Sequence, residues 1–409
     1  MNSVKIVALG LKGDGVSEDG RHVPLSLPGE TVRLDPVGHP AEIVTASPDR
    51  IAPFCRHYGV CGGCRMQHVA PGPYAEWKRG IVVTTLTRAG LTPEIAPLVA
   101  AHGEGRRRVV LHLKAAPGGL AAGFMRAGTH DLVDLDACPV LVPALADAPA
   151  LARALGRPLA RLGKPMDVQL TATEGGIDAD IRGPGKIDAA LRLDLSALAN
   201  RLDLARLSLH GDVVVERRAP LVAMGRAMVN APPGGFLQAT RLGEETLARL
   251  VVAATGRARR VVDLFSGAGP FALRLAETAH VRAYDSDRPA IEALLRAARA
   301  TPGLKPVMAE GRDLFRRPLL PGELADTDAV VLDPARAGAE AQVHQLARVA
   351  TLARIVYVSC DPMSFARDAA LLVAAGFVLE RVTPVDQFAY SAHVELVGVF
   401  TRAAVSRSR

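Results

Sequence analysis

Arg259-Arg-Val-Val-Asp-Leu-Phe-Ser-Gly-Ala-Gly-Pro270 decides the fold of this chain. Its first half is a β-branched run that closes on an aspartate. Its second half is a glycine-rich turn, after which residues 270–277 open a helix. A strand that turns tightly into a helix is the first unit of a doubly wound sheet, and its turn lies where such sheets bind ligands. The pattern then repeats. Residues 281–285, 307–310, 329–333 and 355–359 read as strands, and 289–299, 342–351 and 365–375 as helices. Residues 377–382 and 393–400 close the sheet. Such alternation predicts an α/β fold, a Rossmann-like doubly wound sheet over residues 231–409.

Asp263, Asp285, Asp313 and Asp333 fall at successive strand ends. A carboxylate one strand beyond the glycine turn suits a ribose diol. A dinucleotide site would want a third glycine, but Ala272 and Leu273 stand beyond Gly267 and Gly269. Asp263 favours S-adenosylmethionine, which lacks a pyrophosphate and carries an ammonium. The fifth strand ends in Ile355-Val-Tyr-Val-Ser-Cys-Asp-Pro-Met363. A cysteine at the carboxyl end of a parallel strand points into the ligand crevice, and a thiolate partly formed near neutral pH is a strong nucleophile. The bland alternative is a small apolar residue packed at a strand end.

Upstream, Phe54-Cys-Arg-His-Tyr-Gly-Val-Cys-Gly-Gly-Cys-Arg-Met-Gln-His68 holds Cys55, Cys61 and Cys64, and Cys138 stands in Asp136-Ala-Cys-Pro139. With Cys360 these are all five cysteines of the chain, so four form a candidate ligand set and one is left to work alone. Four thiolates fit tetrahedral zinc or a [4Fe–4S] cluster. A triplet with a distant fourth cysteine before proline looks more like iron–sulfur. Tyr74 and Trp77 follow in a segment expected to be an amphipathic helix.

Residues 51–230 are expected to form this cysteine-bearing α+β domain, in which Arg106, Arg107, Arg108 and Arg126 could line a phosphate track or merely face solvent. Residues 1–50 read as short strands at 4–9, 22–26 and 31–34 separated by glycine turns, the plan of a small OB-like barrel. A chain of 409 residues is long enough for two or three such domains. Its formal charge of +7 suits an anionic partner such as RNA. No apolar run reaches the roughly 18 residues of a membrane helix, and residues 1–9 are too polar for a signal peptide. The expectation is a cytoplasmic protein with no membrane association and no obligate protein partner.

Phe236-Leu-Gln-Ala239, Asp263-Leu-Phe-Ser-Gly-Ala-Gly269, Val331-Leu-Asp-Pro-Ala-Arg-Ala-Gly338, Tyr357-Val-Ser-Cys-Asp-Pro362 and Asp386-Gln-Phe-Ala-Tyr-Ser-Ala-His-Val-Glu395 occur in this order. In that order they resemble the RNA uracil-C5 methyltransferase family. The likeness is strongest to its iron–sulfur branch, the 23S rRNA (uracil-C5) methyltransferases. Residues 10–32 also resemble the TRAM module, an RNA-binding barrel. The resemblance implies Cys360 as nucleophile and Glu395 as the base that removes the C5 proton. It also implies Gln238, Phe265, Asp285, Asp313 and Asp333 around S-adenosylmethionine, and Cys55, Cys61, Cys64 and Cys138 on a [4Fe–4S] cluster. Arg336 would orient the Asp333 loop or touch phosphate. The substrate uridine, hidden in stacked RNA, would be flipped out or taken from a loop. Ala335, Pro270 and Ala389-Tyr390-Ser391 depart from the family pattern. The same chemistry on transfer RNA is an open alternative. A non-catalytic iron–sulfur RNA-binding protein is a second, disfavoured by the presence of both Cys360 and Glu395. Radical methylthiotransferases, which also carry TRAM modules, need a C-x3-C-x2-C array that this chain lacks.

Overall fold

The computed structural model describes residues 3–35 and 40–402; the other positions of the expected barrel and of the C-terminal domain lie outside the described residues. Nine strands form the largest sheet. From one edge they run Val307–Gly311, His280–Asp285, Arg260–Leu264, Ala329–Leu332, Arg354–Ser359, Glu395–Thr401, Val378–Asp386 and Glu94–Ile95, with Val99–Ala100 also on Val378–Asp386. The first five are parallel, and Glu395–Thr401 inserts antiparallel between two neighbours. This is the Rossmann-like arrangement expected from the alternation. Strand order reverses between Arg260–Leu264 and Ala329–Leu332, so the crevice at their carboxyl ends is the ligand position.

Apolar layers cover both faces of this sheet, which is why Ala329–Leu332 is buried at every residue and reads as an unbroken apolar run. The last two strands are offset from the sequence reading, running Val378–Asp386 and Glu395–Thr401. Between them residues 387–394 form a loop held by distant elements. The two short strands at 94–100 join this sheet from far upstream, by a pairing that no local pattern announces.

A second sheet of seven strands carries its own core. Its order is Leu132–Asp134, Gly119–Met125, Arg108–Ala116, Met166–Thr173, Gly176–Arg182, Arg206–Leu209 and Asp212–Glu216. Helices Ala148–Gly156 and Ala189–Arg201 contribute apolar residues to that core. At the N-terminus five short antiparallel strands curl about Val4, Ile6, Val23, Val32 and Leu34. Among the described residues its two outer strands, His22–Val23 and Pro40–Thr45, do not pair with each other, so the expected barrel is a barrel-like curled sheet.

Helix Pro71–Arg88 packs against this sheet, with Trp77 Nε1 donating to the Gly10 carbonyl at 2.9 Å. No helix among the described residues is long and apolar enough to cross a membrane.

Candidate active site

Ser359 pairs with Leu396 at the end of the antiparallel ladder, so Cys360 and Glu395 are the next residues of the two neighbouring chains, and the Glu395 charge acts on the Cys360 thiol. Local sequence fixes the turn. Asp361 caps the next helix by accepting the Met363 and Ser364 amides at 2.9 and 3.0 Å, and Pro362 takes its first position. The strand therefore ends abruptly, and the half-buried thiol stands at the crevice. Burial, then the negative charge of Glu395 and Asp333, pushes Cys360 up to about 11, with Arg336 opposing. Burial thus disfavours the thiolate when no ligand is bound, and the acidic neighbours add to that effect.

The five residues expected around a cofactor lie about the same crevice, linked in neighbouring pairs. Asp285 accepts the Gly267 and Asp287 amides at 2.8 Å each, which ties the glycine turn to the next strand. Phe265 adopts φ +62° and its ring lies 5.3 Å from that of Phe315. Asp313 holds the Phe315 and Arg316 amides at 3.0 and 3.2 Å. Asp333 receives Gln238 Nε2 at 3.2 Å.

Beneath them Asp263 is fully buried, and neither of its carboxylate oxygens has a hydrogen-bond partner. Burial pushes Asp263 up to about 8. Asp333 is raised well above the carboxylate range by burial and then by Glu395, Asp263 and Asp285. Buried carboxylates this close together ionise only when positive charge arrives. Their setting fits a ligand with a sulfonium and an ammonium.

The sequence reading missed what holds Glu395. Gln387 Nε2 donates to Glu395 Oε1 at 3.0 Å and to Gln238 Oε1 at 2.6 Å, joining Glu395 to Gln238 through an amide. The signal was Gly243, inside helix Arg241–Thr255: a Cβ there would lie 2.7 Å from Gln387 Cβ. Lys78 is fully buried and pairs with Asp386, while donating to the Phe388 and His393 carbonyls at 3.0 and 2.7 Å. Tyr74 reaches the other Asp386 oxygen at 2.6 Å and accepts the Tyr390 amide at 2.9 Å. Tyr390 itself has φ +62°. Helix Pro71–Arg88 thus grips the loop that leads into Glu395.

Of the four arginines read as a possible phosphate track, Arg107 is buried in a pair with Glu244 at 2.6 Å and Arg108 reaches Gln169 at 2.7 Å. Arg106 lies over the Phe388 ring, and Arg126 bridges Cys61 through the backbone.

Cys55, Cys61, Cys64 and Cys138 line one cavity of about 240 Å³. Burial, with the other thiols adding like charge, pushes Cys138 up to about 11 and raises Cys61 and Cys64. Among the described residues no group of three or more His, Cys, Asp or Glu side chains closes to metal-holding geometry. Next to Cys64, the Arg65 amide donates to the Tyr390 carbonyl at 2.7 Å, joining the cysteine loop to residues 387–394.

Residues 189–404 match the family model described as tRNA (Uracil-5-)-methyltransferase. An RNA methyltransferase of Caulobacter vibrioides is 47% identical, covering 98% of this chain and 100% of that protein. One from Brucella suis is 45% identical over 98% of this chain and 97% of its own length. The 23S rRNA (uracil(1939)-C(5))-methyltransferase RlmD of Halomonas elongata is 35% identical over 93% of this chain and 87% of that protein. Among solved structures, the Pyrococcus abyssi tRNA (uracil-54, C5)-methyltransferase in complex with S-adenosyl-L-homocysteine superposes with a TM-score of 0.75 at 23% identity. It covers 98% of this chain and 99% of that one, a likeness of fold.

Proposed function

The chain belongs to the tRNA (uracil-5-)-methyltransferase family, and on that premise we propose that it forms 5-methyluridine in 23S rRNA through a covalent adduct at Cys360. It is an RNA uracil-5-methyltransferase, and its methyl donor is S-adenosylmethionine. The residue assignment is supported by the place of Cys360 and Glu395 at the ends of neighbouring antiparallel strands, where the Glu395 charge acts on the thiol. The N-terminal curled sheet is read as a TRAM-like RNA-binding module, as its glycine turns and short strands support.

Uracil C5 is a weak nucleophile. Addition of the Cys360 sulfur to C6 moves the C5–C6 π pair toward the C4 carbonyl and makes an enolate. Bound S-adenosylmethionine would supply the methyl group to C5, its methyl–sulfur bond breaking with the electron pair returning to sulfur as S-adenosylhomocysteine. Glu395 then accepts the C5 proton, the C5–C6 double bond re-forms, and Cys360 leaves as thiolate. Burial pushes Glu395 up to about 7, so it is poised to take that proton at neutral pH. Gln238, Phe265, Asp285, Asp313 and Asp333 bind the methyl donor, and Gln387 keeps the base aimed. For Cys360 to ionise, the positive charge of Arg336 and of the bound donor must offset Glu395 and Asp333.

Glu395→Gln is expected to complete methyl transfer but not release, so an RNA–protein adduct should build up on a denaturing gel. A variant that turns over without adduct would remove Glu395 from the role of base. The wild-type rate should fall as pH drops through about 7, since a protonated Glu395 cannot accept the C5 proton. Mapping 5-methyluridine in total RNA from a deletion strain tests the substrate. Loss of a methylated site in 23S rRNA is expected, whereas loss only in tRNA would overturn that assignment.

We assign Cys55, Cys61, Cys64 and Cys138 as ligands of a [4Fe–4S] cluster, whose positive iron would hold as thiolates the sulfurs that burial otherwise keeps protonated. Anaerobically purified protein should be brown, absorb near ~400 nm and contain iron and sulfide. Stoichiometric zinc without iron would refute the assignment.

A further inference from the structure

A cavity of about 670 Å³ belongs neither to the crevice nor to the cysteine loop. It opens at the far end of the seven-stranded sheet, where the hairpin Arg108–Ala116/Gly119–Met125 meets helix Ala148–Gly156 and the 3-10 turn after it. Lys114, Arg153, Arg157 and Lys164 line it, and no carboxylate does. These cations come from separate elements, so their convergence is a product of the fold and not of a basic run. Like charges facing one space repel one another, and among the described residues only Arg153 of the four is in an ion pair, with Asp134.

Two of the four are held in place. Lys114 Nζ donates to the His130 carbonyl at 2.7 Å, and Arg153 to Asp134 at 2.6 Å. Arg157 and Lys164 are exposed and have no ion-pair or hydrogen-bond partner among the described residues. Gly118, Gly119 and Gly163 leave the rim bare, for a Cβ at any of them would meet nothing within 4 Å. All three have positive φ, so the turns need glycine and also keep side chains away from the opening. The floor is apolar, built from Ala115, Leu120 and Met166.

We propose that this cavity is a second RNA-docking site, which grips the phosphodiester backbone of the substrate away from the nucleotide being methylated. The four cations meet phosphates, and the apolar floor covers a ribose or base edge. The same strand links the two sites: Arg107, at its start, donates its amide to the Ala239 carbonyl beside Gln238, while Lys114 lies near its end. At about 3.3 Å per residue the pocket is roughly 20 Å from the crevice. A long RNA reaches both; a short one reaches only the crevice. The inference rests on RNA as the substrate, not on which RNA it is.

The test is filter binding of the whole protein to labelled 23S rRNA transcribed in vitro, for wild type and Arg157→Glu/Lys164→Glu. The variant should bind about tenfold more weakly at moderate salt, and the slope of log Kd against log salt should drop by about 1.5 to 2. Its S-adenosylmethionine affinity and melting temperature should match wild type, since both side chains are exposed. Arg157→Gln/Lys164→Gln should fall between. RNA affinity and salt slope equal to wild type would overturn the proposal. So would protection of the wild type, but not the variant, by inorganic phosphate when RNA binding is unchanged, because the pocket would then serve a small anion. Repeating the titration with bulk tRNA separates the two readings. A wild type that binds tRNA but not 23S rRNA refutes the rRNA assignment, and the pocket still stands if the variant loses tRNA.

Discussion

Replacing Cys360 with alanine is expected to lower the methylation rate by about 10⁴-fold or more while leaving S-adenosylmethionine affinity within about twofold. The size follows from the role. Without the sulfur no enolate forms, and C5 of a neutral uracil has too little electron density to attack a methyl group. Binding of the donor should survive because Gln238, Phe265, Asp285, Asp313 and Asp333 are held by their own contacts, none of which involves the thiol. The turn should survive too, since Asp361 and Pro362 fix it without help from the Cys360 side chain. Transfer of labelled methyl groups to 23S rRNA, measured beside calorimetric titration of the donor, separates the outcomes. Activity near wild type would end the covalent mechanism. Loss of activity together with loss of donor binding would mean that Cys360 supports the crevice and is not the nucleophile.

Lys78→Met is expected to cost about 3–5 kcal/mol of stability, by breaking one side of a buried ion pair. Asp386 would keep a buried charge with Tyr74 as its remaining side-chain donor, and the Phe388 and His393 carbonyls would lose the ammonium, Phe388 keeping Ser391 as a donor. Burial holds Lys78 down to about 8 even beside Asp386, so desolvation weighs heavily against the pair as a whole. Removing both charges should therefore be milder than removing one. In thermal melts the single variant should fall by on the order of 10 °C, and Lys78→Met/Asp386→Asn should recover part of that loss. A single variant that melts with the wild type would show that the pair does not hold the loop. Below its melting point the single variant should also methylate slowly, because residues 387–394 lead directly into Glu395.

Much of this was legible in the chain because the forces involved are local. The strand and turn at 259–270, the aspartates at strand ends, and the Cys360-Asp361-Pro362 stop depend on residues within one or two turns of each other. The repeated strand–helix alternation was enough for the parallel sheet, since only a sheet buried on both faces makes use of runs such as Ala329–Leu332. Family motifs extended that to the residues of the crevice.

What the sequence could not supply was anything set by distance in space. Lys78 and Asp386 are neighbours only because a helix from the first quarter of the chain packs on a loop near its end. Gln387 reads as an ordinary loop amide until Gly243 and Gln238 close round it. The strands at 94–100 are too short to announce themselves and gain their partner from the sheet edge. Desolvation of the Cys360 thiol and the fields of Glu395 and Asp333 at it likewise exist only once the sheet brings these groups together. The sequence by itself determined the fold class, the family and which side chains stand at the strand ends, because periodicity and capping act between near neighbours. Only the tertiary structure decided how those side chains are held and charged, and where four scattered cations meet, because burial and Coulomb interaction depend on packing across the whole chain.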